Sequence, residues 1–167
     1  TNHIKKSVPL YEQGHDLICR ISDFFLPNNS ICYELGVSNG NLISRLAKRH
    51  EKKKIKFIGI DNEKDMINAA KKKFKKLNNT SFFCKDINDY KFKKADLIIS
   101  YYTIQFIHPR KRQDLINKIY KALNWGGALI MFEKTRGNDA RFQDIWTAIY
   151  SDFKIEQGFS PEEIINK

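Results

Sequence analysis

A chain of 167 residues, 41% hydrophobic and 13% aromatic, is long enough for one domain with a real core and too apolar to be disordered. Charged residues make up 29%, and no apolar run approaches the roughly 18 residues a membrane helix requires, so membrane-spanning and collagen-like classes fall away. The formal charge is +11, and the stretch from Arg45 to Lys94, with seventeen basic and six acidic residues, accounts for all of it.

The start, Thr1 to Lys6 followed by Pro9 and a polar stretch, lacks the apolar segment of a signal peptide. A leading helix is predicted over about Tyr11 to Phe25, stopped by the turn Pro27-Asn28-Asn29. Ile31-Cys32-Tyr33 with Leu35 reads as a first buried strand, and Asn41 to His50 as a helix with Leu42, Ile43 and Leu46 on one stripe. Phe57 to Ile60 is a second strand. A helix over Lys64 to Lys76 follows, with Met66, Ile67, Ala70 and Phe74 as its apolar positions. Ser81 to Cys84 and Leu97 to Ile99 give strands three and four. Leu115, Ile116, Ile119, Tyr120 and Leu123 mark another helix, and Ala128 to Phe132 a fifth strand. Ser160-Pro161-Glu162-Glu163 has the N-cap Ser, N1 Pro and N3 Glu of a helix start, cut short at Lys167. Strand-helix alternation with near-continuous apolar strands predicts an α/β fold with a doubly wound, mostly parallel sheet. No linker or repeat divides residues 1–167, so a single domain is expected, with residues 1–29 as its leading segment. Only five strands are present, so either the sheet is small or the chain is the front part of a longer one.

Cys19, Cys32 and Cys84 show no CxxC spacing and read as reduced core residues of a cytoplasmic protein. His3, His15, His50 and His108 are scattered. His108, before Pro109, suits a helix start better than catalysis, and no metal site is expected. The lysine clusters 52–54, 71–73 and 75–76, with Lys91, Lys93 and Lys94, can attract a polyanion such as RNA or a doubly charged acidic metabolite. With 23 Lys against 7 Arg and no aromatics interleaved, a solvated face is the stronger reading.

In a doubly wound sheet, ligands sit at the carboxyl ends of the strands. Glu34-Leu35-Gly36-Val37-Ser38-Asn39-Gly40 is a strand end, a glycine turn and a helix start. Ser38 and Asn41 stand where a dinucleotide fingerprint needs Gly, which disfavours a pyrophosphate cradle. Asp61-Asn62 ends the second strand, 27 residues after Glu34, where a carboxylate can accept both hydroxyls of a ribose; the competing reading is a cap for the helix near Glu63. Asp86 follows the third strand and can accept from an adenine amino group, with Ile87 beside the ring; it reads equally well as a plain loop acid.

This order of glycine and acids resembles the class I S-adenosylmethionine (SAM)-dependent methyltransferases, with Ala95 to Ser100 as fourth strand and Leu123 to Leu129 as the turn into the fifth. A closer resemblance runs through nearly the whole chain. Lys6 to Tyr11, Thr103 to Ile107, Lys118 to Asn124, Gly126 to Ile130, Phe132 to Lys134, Asp152 to Lys154 and Gly158 to Ser160 look like the carboxy-S-adenosylmethionine synthase family. The resemblance implies a Rossmann-like sheet and conversion of SAM and prephenate to carboxy-SAM and phenylpyruvate. The product would serve wobble-uridine modification in tRNA; methyl transfer to a small molecule or RNA is the alternative.

By the same resemblance the cofactor contacts are Tyr11, Glu34, Gly36, Val37, Ser38, Asp61, Asn62, Asp86, Ile87 and Tyr101. Tyr101 stands where the family pattern expects Asn. Its ring face can sit against the sulfonium, and Tyr102 can line the site beside it. Arg136 is a candidate for the substrate dianion. The resemblance further implies a homodimer and an Arg just beyond Lys167 that pairs with the added carboxylate. Direct RNA binding is left open.

Overall fold

The structure, a computed structural model, describes residues 2–165; the side chain of His3 and the whole of Lys167 lie outside the described residues. In chain order the elements are α1 (Asn2–Ser7), α2 (Tyr11–Phe25), β1 (Ile31–Leu35), α3 (Asn41–Arg49), β2 (Lys56–Asp61), α4 (Lys64–Lys73), β3 (Thr80–Cys84) and β4 (Ala95–Tyr101). A 3-10 turn (Ile104–Phe106), α5 (Pro109–Ala122), β5 (Leu123–Phe132), α6 (Ala140–Glu156) and α7 (Pro161–Ile165) follow. Contacts divide the chain into two compact units, one of Leu17–Lys134, the other of Thr1–Asp16 with Thr135–Lys167.

The Leu17–Lys134 unit is built on a five-stranded, all-parallel sheet in the order β3-β2-β1-β4-β5. The predicted α/β doubly wound class is the observed one. Strand order runs outward in both directions from the β1–β4 pair, which is therefore the topological switch point. Leu35, Ile60, Leu97, Ile98 and Ile99 are fully buried in the sheet; each such side chain contributes about 1.5–3 kcal/mol relative to exposure. Helix α3 places Leu42, Ile43 and Leu46 in the core, as its stripe predicts, and α5 contributes Leu115 and Ile119.

Three expected core residues are outside it. Tyr120 is 80% exposed and Met66 45%, because each sits one position, about 100° of helix rotation, from the buried Ile119 and Ile67. Cys84 is exposed, whereas Cys19 and Cys32 are buried; β3 is the sheet's outer strand, and of its five residues only Phe82 is buried. The fifth strand starts at Leu123 rather than Ala128. Its glycine turn becomes a bulge between the Ala95–Leu123 and Leu97–Ala128 pairs, with Gly126 at φ +78°. Asp96 secures the bulge, accepting from Asn124 Nδ2 at 2.8 Å and from Ile31 N at 2.9 Å.

Two histidines serve packing. His108 Nδ1 accepts from Arg110 N at the start of α5, the helix-start role its position before Pro109 suggests. His50 is buried at the end of α3 with Nε2 2.8 Å from Ser22 Oγ on α2. Burial pushes its pKa down, so the neutral ring is favoured.

In the other unit, Tyr150 Oη donates to Ser7 O at 2.8 Å and the Tyr11 ring lies 4.6 Å from that of His15. Helix α6, absent from the predicted elements, starts where the Asp139 carboxylate accepts from Phe142 N at 2.9 Å. At α7 the predicted capping box is formed. Ser160 Oγ accepts from Glu163 N, and Glu163 Oε2 accepts from Ser160 N. No described helix is long and apolar enough to cross a membrane.

Candidate functional site at the strand ends

Parallel pairing sets the carboxyl ends of the strands in one row. Leu35 pairs with Ile60 and Ser100, Asp61 with Cys84, and Tyr101 with Phe132. The loops that follow converge where a doubly wound sheet binds ligands.

At the switch point the β1–α3 loop turns on Gly36, whose φ of +69° is cheap only for glycine. Gly36 N and Val37 N both donate to Ile60 O, at 2.8 and 3.0 Å, which holds the loop against β2. A Cβ at Gly36 would overlap Thr103 Oγ1 and lie 2.6 Å from Thr103 Cγ2. Thr103 is itself anchored, its hydroxyl donating to Leu35 O at 2.9 Å. Gly59 does related work on β2, since a Cβ there would lie 2.6 Å from Val37 Cγ2.

Asp61 joins two loops. Oδ2 accepts from Ser38 N at 2.7 Å, and Oδ1 accepts from Glu63 N at 3.0 Å, the short-range contact of the capping alternative. Each oxygen keeps a further lone pair for a ligand hydroxyl. Ser38 stands at φ +49° with its hydroxyl 3.7 Å from Met66 Sδ. Asn62 O meets Cys84 Sγ at 3.5 Å. Asp86 is exposed, and its Oδ1 accepts from both the backbone and side-chain nitrogens of Asn88, a loop turn that leaves Oδ2 outward-bonding capacity. The side chain of Ile87 is buried in the apolar cluster with Tyr33 and Leu35, so it forms the floor of this loop.

Glu34 is the unusual charge. It is 4% exposed, its carboxylate accepts from the backbone of Ile43, and Oε2 has no hydrogen-bond partner. Burial raises its pKa well above the usual carboxylate range, with Asp61 adding to the effect. A raised native pKa means the contribution to stability is complete below the unfolded value and is lost as pH rises through the native one. Glu34→Gln keeps an acceptor for Ile43 and removes the charge. Its thermal midpoint at pH 7.5 is therefore expected above wild type by a few degrees, about 1–2 kcal/mol, with the gap closing toward pH 4.5. Melting curves at the two pH values check this; a variant less stable at pH 7.5 contradicts it.

The other side of the switch point is built by β4 and β5. Tyr101 is buried, with its ring 4.8 Å from Tyr102 and 5.1 Å from Phe132. Tyr102 stands at φ +54°, and burial, then Glu133, raise its hydroxyl pKa, so it is a proton donor at neutral pH rather than a base. Glu133, just past β5, grips the loop after β4. Oε1 accepts from Thr103 N (3.1 Å), Ile104 N (2.7 Å) and Ser100 Oγ (3.3 Å), and Oε2 from Gln105 N (3.1 Å). Sequence reasoning singled out none of Gly59, Thr103 and Glu133 for the site. Their partners lie 22 to 68 residues away in the chain, and only an acid one residue beyond the fifth strand gave any signal. Tyr11 and the exposed Arg136 belong to the other unit.

Comparison with known proteins gives this geometry a context. The methyltransferase domain family matches residues 33–127. The carboxy-S-adenosyl-L-methionine synthase of Staphylococcus epidermidis is 38% identical over 99% of this chain and 72% of its own length. In fold, the chain is similar to a SAM-dependent methyltransferase from Aquifex aeolicus, with a TM-score of 0.61 at 17% identity over 92% of this chain and 85% of that one. It is also similar to coclaurine N-methyltransferase bound to N-methylheliamine and S-adenosylhomocysteine, with a TM-score of 0.62 at 16% identity, over 72% of this chain and 35% of that one. The two structural likenesses show the fold alone.

Proposed function

We infer, from the premise that this chain belongs to the carboxy-S-adenosyl-L-methionine synthase family, that it is a SAM-dependent transferase whose ligand sits at the carboxyl ends of β1, β2, β3 and β4. The observation that carries the placement is the row of Gly36, Asp61 and Asp86 after three adjacent parallel strands. When bound, SAM supplies a methyl carbon activated by the neighbouring sulfonium.

The residues present fit such a nucleoside. Gly36, Val37 and Ser38 bring backbone close to it without a side chain at the tightest point. Asp61, already fixed by two backbone N–H groups, has lone pairs left for the ribose hydroxyls, and Asn62 stands next to it. Asp86 receives the adenine amino group above the floor made by Ile87. Glu34, with one oxygen lacking a partner, is assigned to the ligand's ammonium end, which would compensate its buried charge. The rings of Tyr101, Tyr102 and Phe132 offer faces to a cation. We assign Tyr11 to the same ligand and Arg136 to the acidic substrate, in a homodimer working in the cytoplasm.

The finer proposal is that SAM and prephenate become carboxy-SAM and phenylpyruvate. Prephenate gives up carbon dioxide and hydroxide, the methyl group gives up one proton, and water closes the balance. Since the hydroxide lost by the substrate accepts that proton, the chain needs no dedicated base. Its work is orientation and electrostatic stabilisation. The product would then supply the tRNA wobble-uridine donor. Tyr101, where the family pattern expects Asn, favours the second reading of methyl transfer to a small molecule or RNA. Incubation with SAM and prephenate, followed by mass spectrometry of the small molecules, separates the two. Carboxy-SAM that forms only with prephenate is the expected result; S-adenosylhomocysteine with a methylated acceptor, and no carboxylated product, would sink it.

A further inference from the structure

At the amino end of β4 a second concave site is present, a cleft of about 520 Å³ lined by Lys91, Lys94, Lys118 and Lys121 with a single carboxylate, Asp89, among them. β4 is seven residues long, so roughly 20 Å of strand separates this cleft from the carboxyl-end row. We propose that it binds a phosphorylated anion of at least two negative charges, independently of the ligand at the strand ends.

Charge and construction both point this way. The lining side chains sum to a formal +3, and no described ion pair compensates any of the four lysines. The cleft is preorganised from two segments more than twenty residues apart. Lys94 Nζ donates to Lys121 O at 3.0 Å and Leu123 O at 3.2 Å, covering the carbonyls at the end of α5, and Lys118 Nζ donates to Asn88 O. These two long side chains are therefore already ordered, which lowers the entropy a ligand must offset. Among the described residues, the Lys91 and Lys121 side chains make no hydrogen bond, so their ammonium protons are available.

The wall is rigid as well. Tyr90 and Phe92 lie 5.2 Å apart and both pack on Tyr33, at 6.0 and 5.3 Å, while Tyr33 Oη accepts from Lys93 N. Aromatics thus do interleave the lysines here, against the sequence expectation. Lysine ammonium groups act as point charges toward phosphate, and several around one concavity select for multiple charge. The same chemistry is offered by a free polyphosphate ester and by the backbone of a single-stranded RNA.

Calorimetric titration of the full chain with tripolyphosphate in one arm, and with a single-stranded RNA oligonucleotide in the other, tests the proposal. Two double variants are compared with wild type, Lys91→Glu with Lys121→Glu in the cleft, and Lys52→Glu with Lys54→Glu on a basic loop that does not line it. The expected result is a loss of at least tenfold in affinity for the cleft variant and under threefold for the loop variant. Such a loss with tripolyphosphate identifies a free phosphorylated ligand; a loss seen with RNA only identifies the backbone phosphate as the source. Binding in neither arm, or equal loss in both variants, would overturn the proposal, the latter because net charge alone would then explain the affinity.

Discussion

Gly36→Ala is expected to lower the thermal midpoint by roughly 5–15 °C and to weaken S-adenosylhomocysteine binding at least tenfold. Two costs add. At φ +69° a Cβ carries the left-handed penalty of about 1–2 kcal/mol. The same Cβ would lie 2.6 Å from Thr103 Cγ2, and overpacking of that kind costs about 1–3 kcal/mol. At 2–4 °C per kcal/mol for a chain of this size, the combined cost of about 2–5 kcal/mol spans roughly 4–20 °C, and the stated range is its middle part. The second cost can be separated from the first. Thr103→Ala removes the atoms that clash but gives up the hydroxyl bond to Leu35 O. In a Gly36→Ala background it should therefore recover part of the midpoint, although it destabilises wild type. Melting curves of the four proteins, with calorimetric titration of the ligand, read both effects. A Gly36→Ala protein melting within a degree of wild type would remove the argument, and a double variant no better than the single would assign the whole loss to backbone conformation.

Glu133→Ala should cost about 2–4 kcal/mol, because one substitution orphans three backbone N–H groups and a hydroxyl. The damage is local in the first instance. Amide exchange at Thr103, Ile104 and Gln105 is expected to quicken by about ten- to a hundredfold, while exchange within β1 and β2 follows only the global change. Glu133→Gln retains a carbonyl oxygen but turns an NH2 toward other donors, so it should fall between wild type and Ala. Unchanged protection at the three amides in the Ala variant would show that the loop after β4 is held by something else. Since this loop carries Tyr102 and Thr103 beside Gly36, ligand affinity should fall with its order.

Most of the architecture was readable because it rests on local periodicity. The near-continuous apolar runs of β1 and β4 describe strands covered on both faces, and the offsets of Leu42, Ile43 and Leu46 or Leu115 and Ile119 describe the core-facing stripes of helices. Helix α6 is the exception: Phe142, Ile145, Trp146 and Ile149 recur at the helical offsets 0, 3, 4 and 7 on one stripe, yet it is not among the predicted elements, and all four are substantially exposed. The site residues at the strand ends were nominated by their place after predicted strands and by family resemblance. Their placement in one row depends on parallel register, which the row of pairs from Leu35 to Phe132 supplies.

By itself, then, the amino-acid sequence determined the succession of elements, the parallel α/β class, and the glycine and acids that end the first three strands, because each is written in residues close together in the chain. Tertiary structure alone decided which apolar strand lies at a sheet edge, leaving Cys84 exposed where its apolar run suggested a core. It also decided that Thr103 fills the space Gly36 leaves open, that Glu133 holds the loop of β4, and that Lys91 and Lys121 share one cleft. Those relations join residues brought together by strand order, and strand order is set by which apolar faces bury one another across the whole sheet rather than by any local signal.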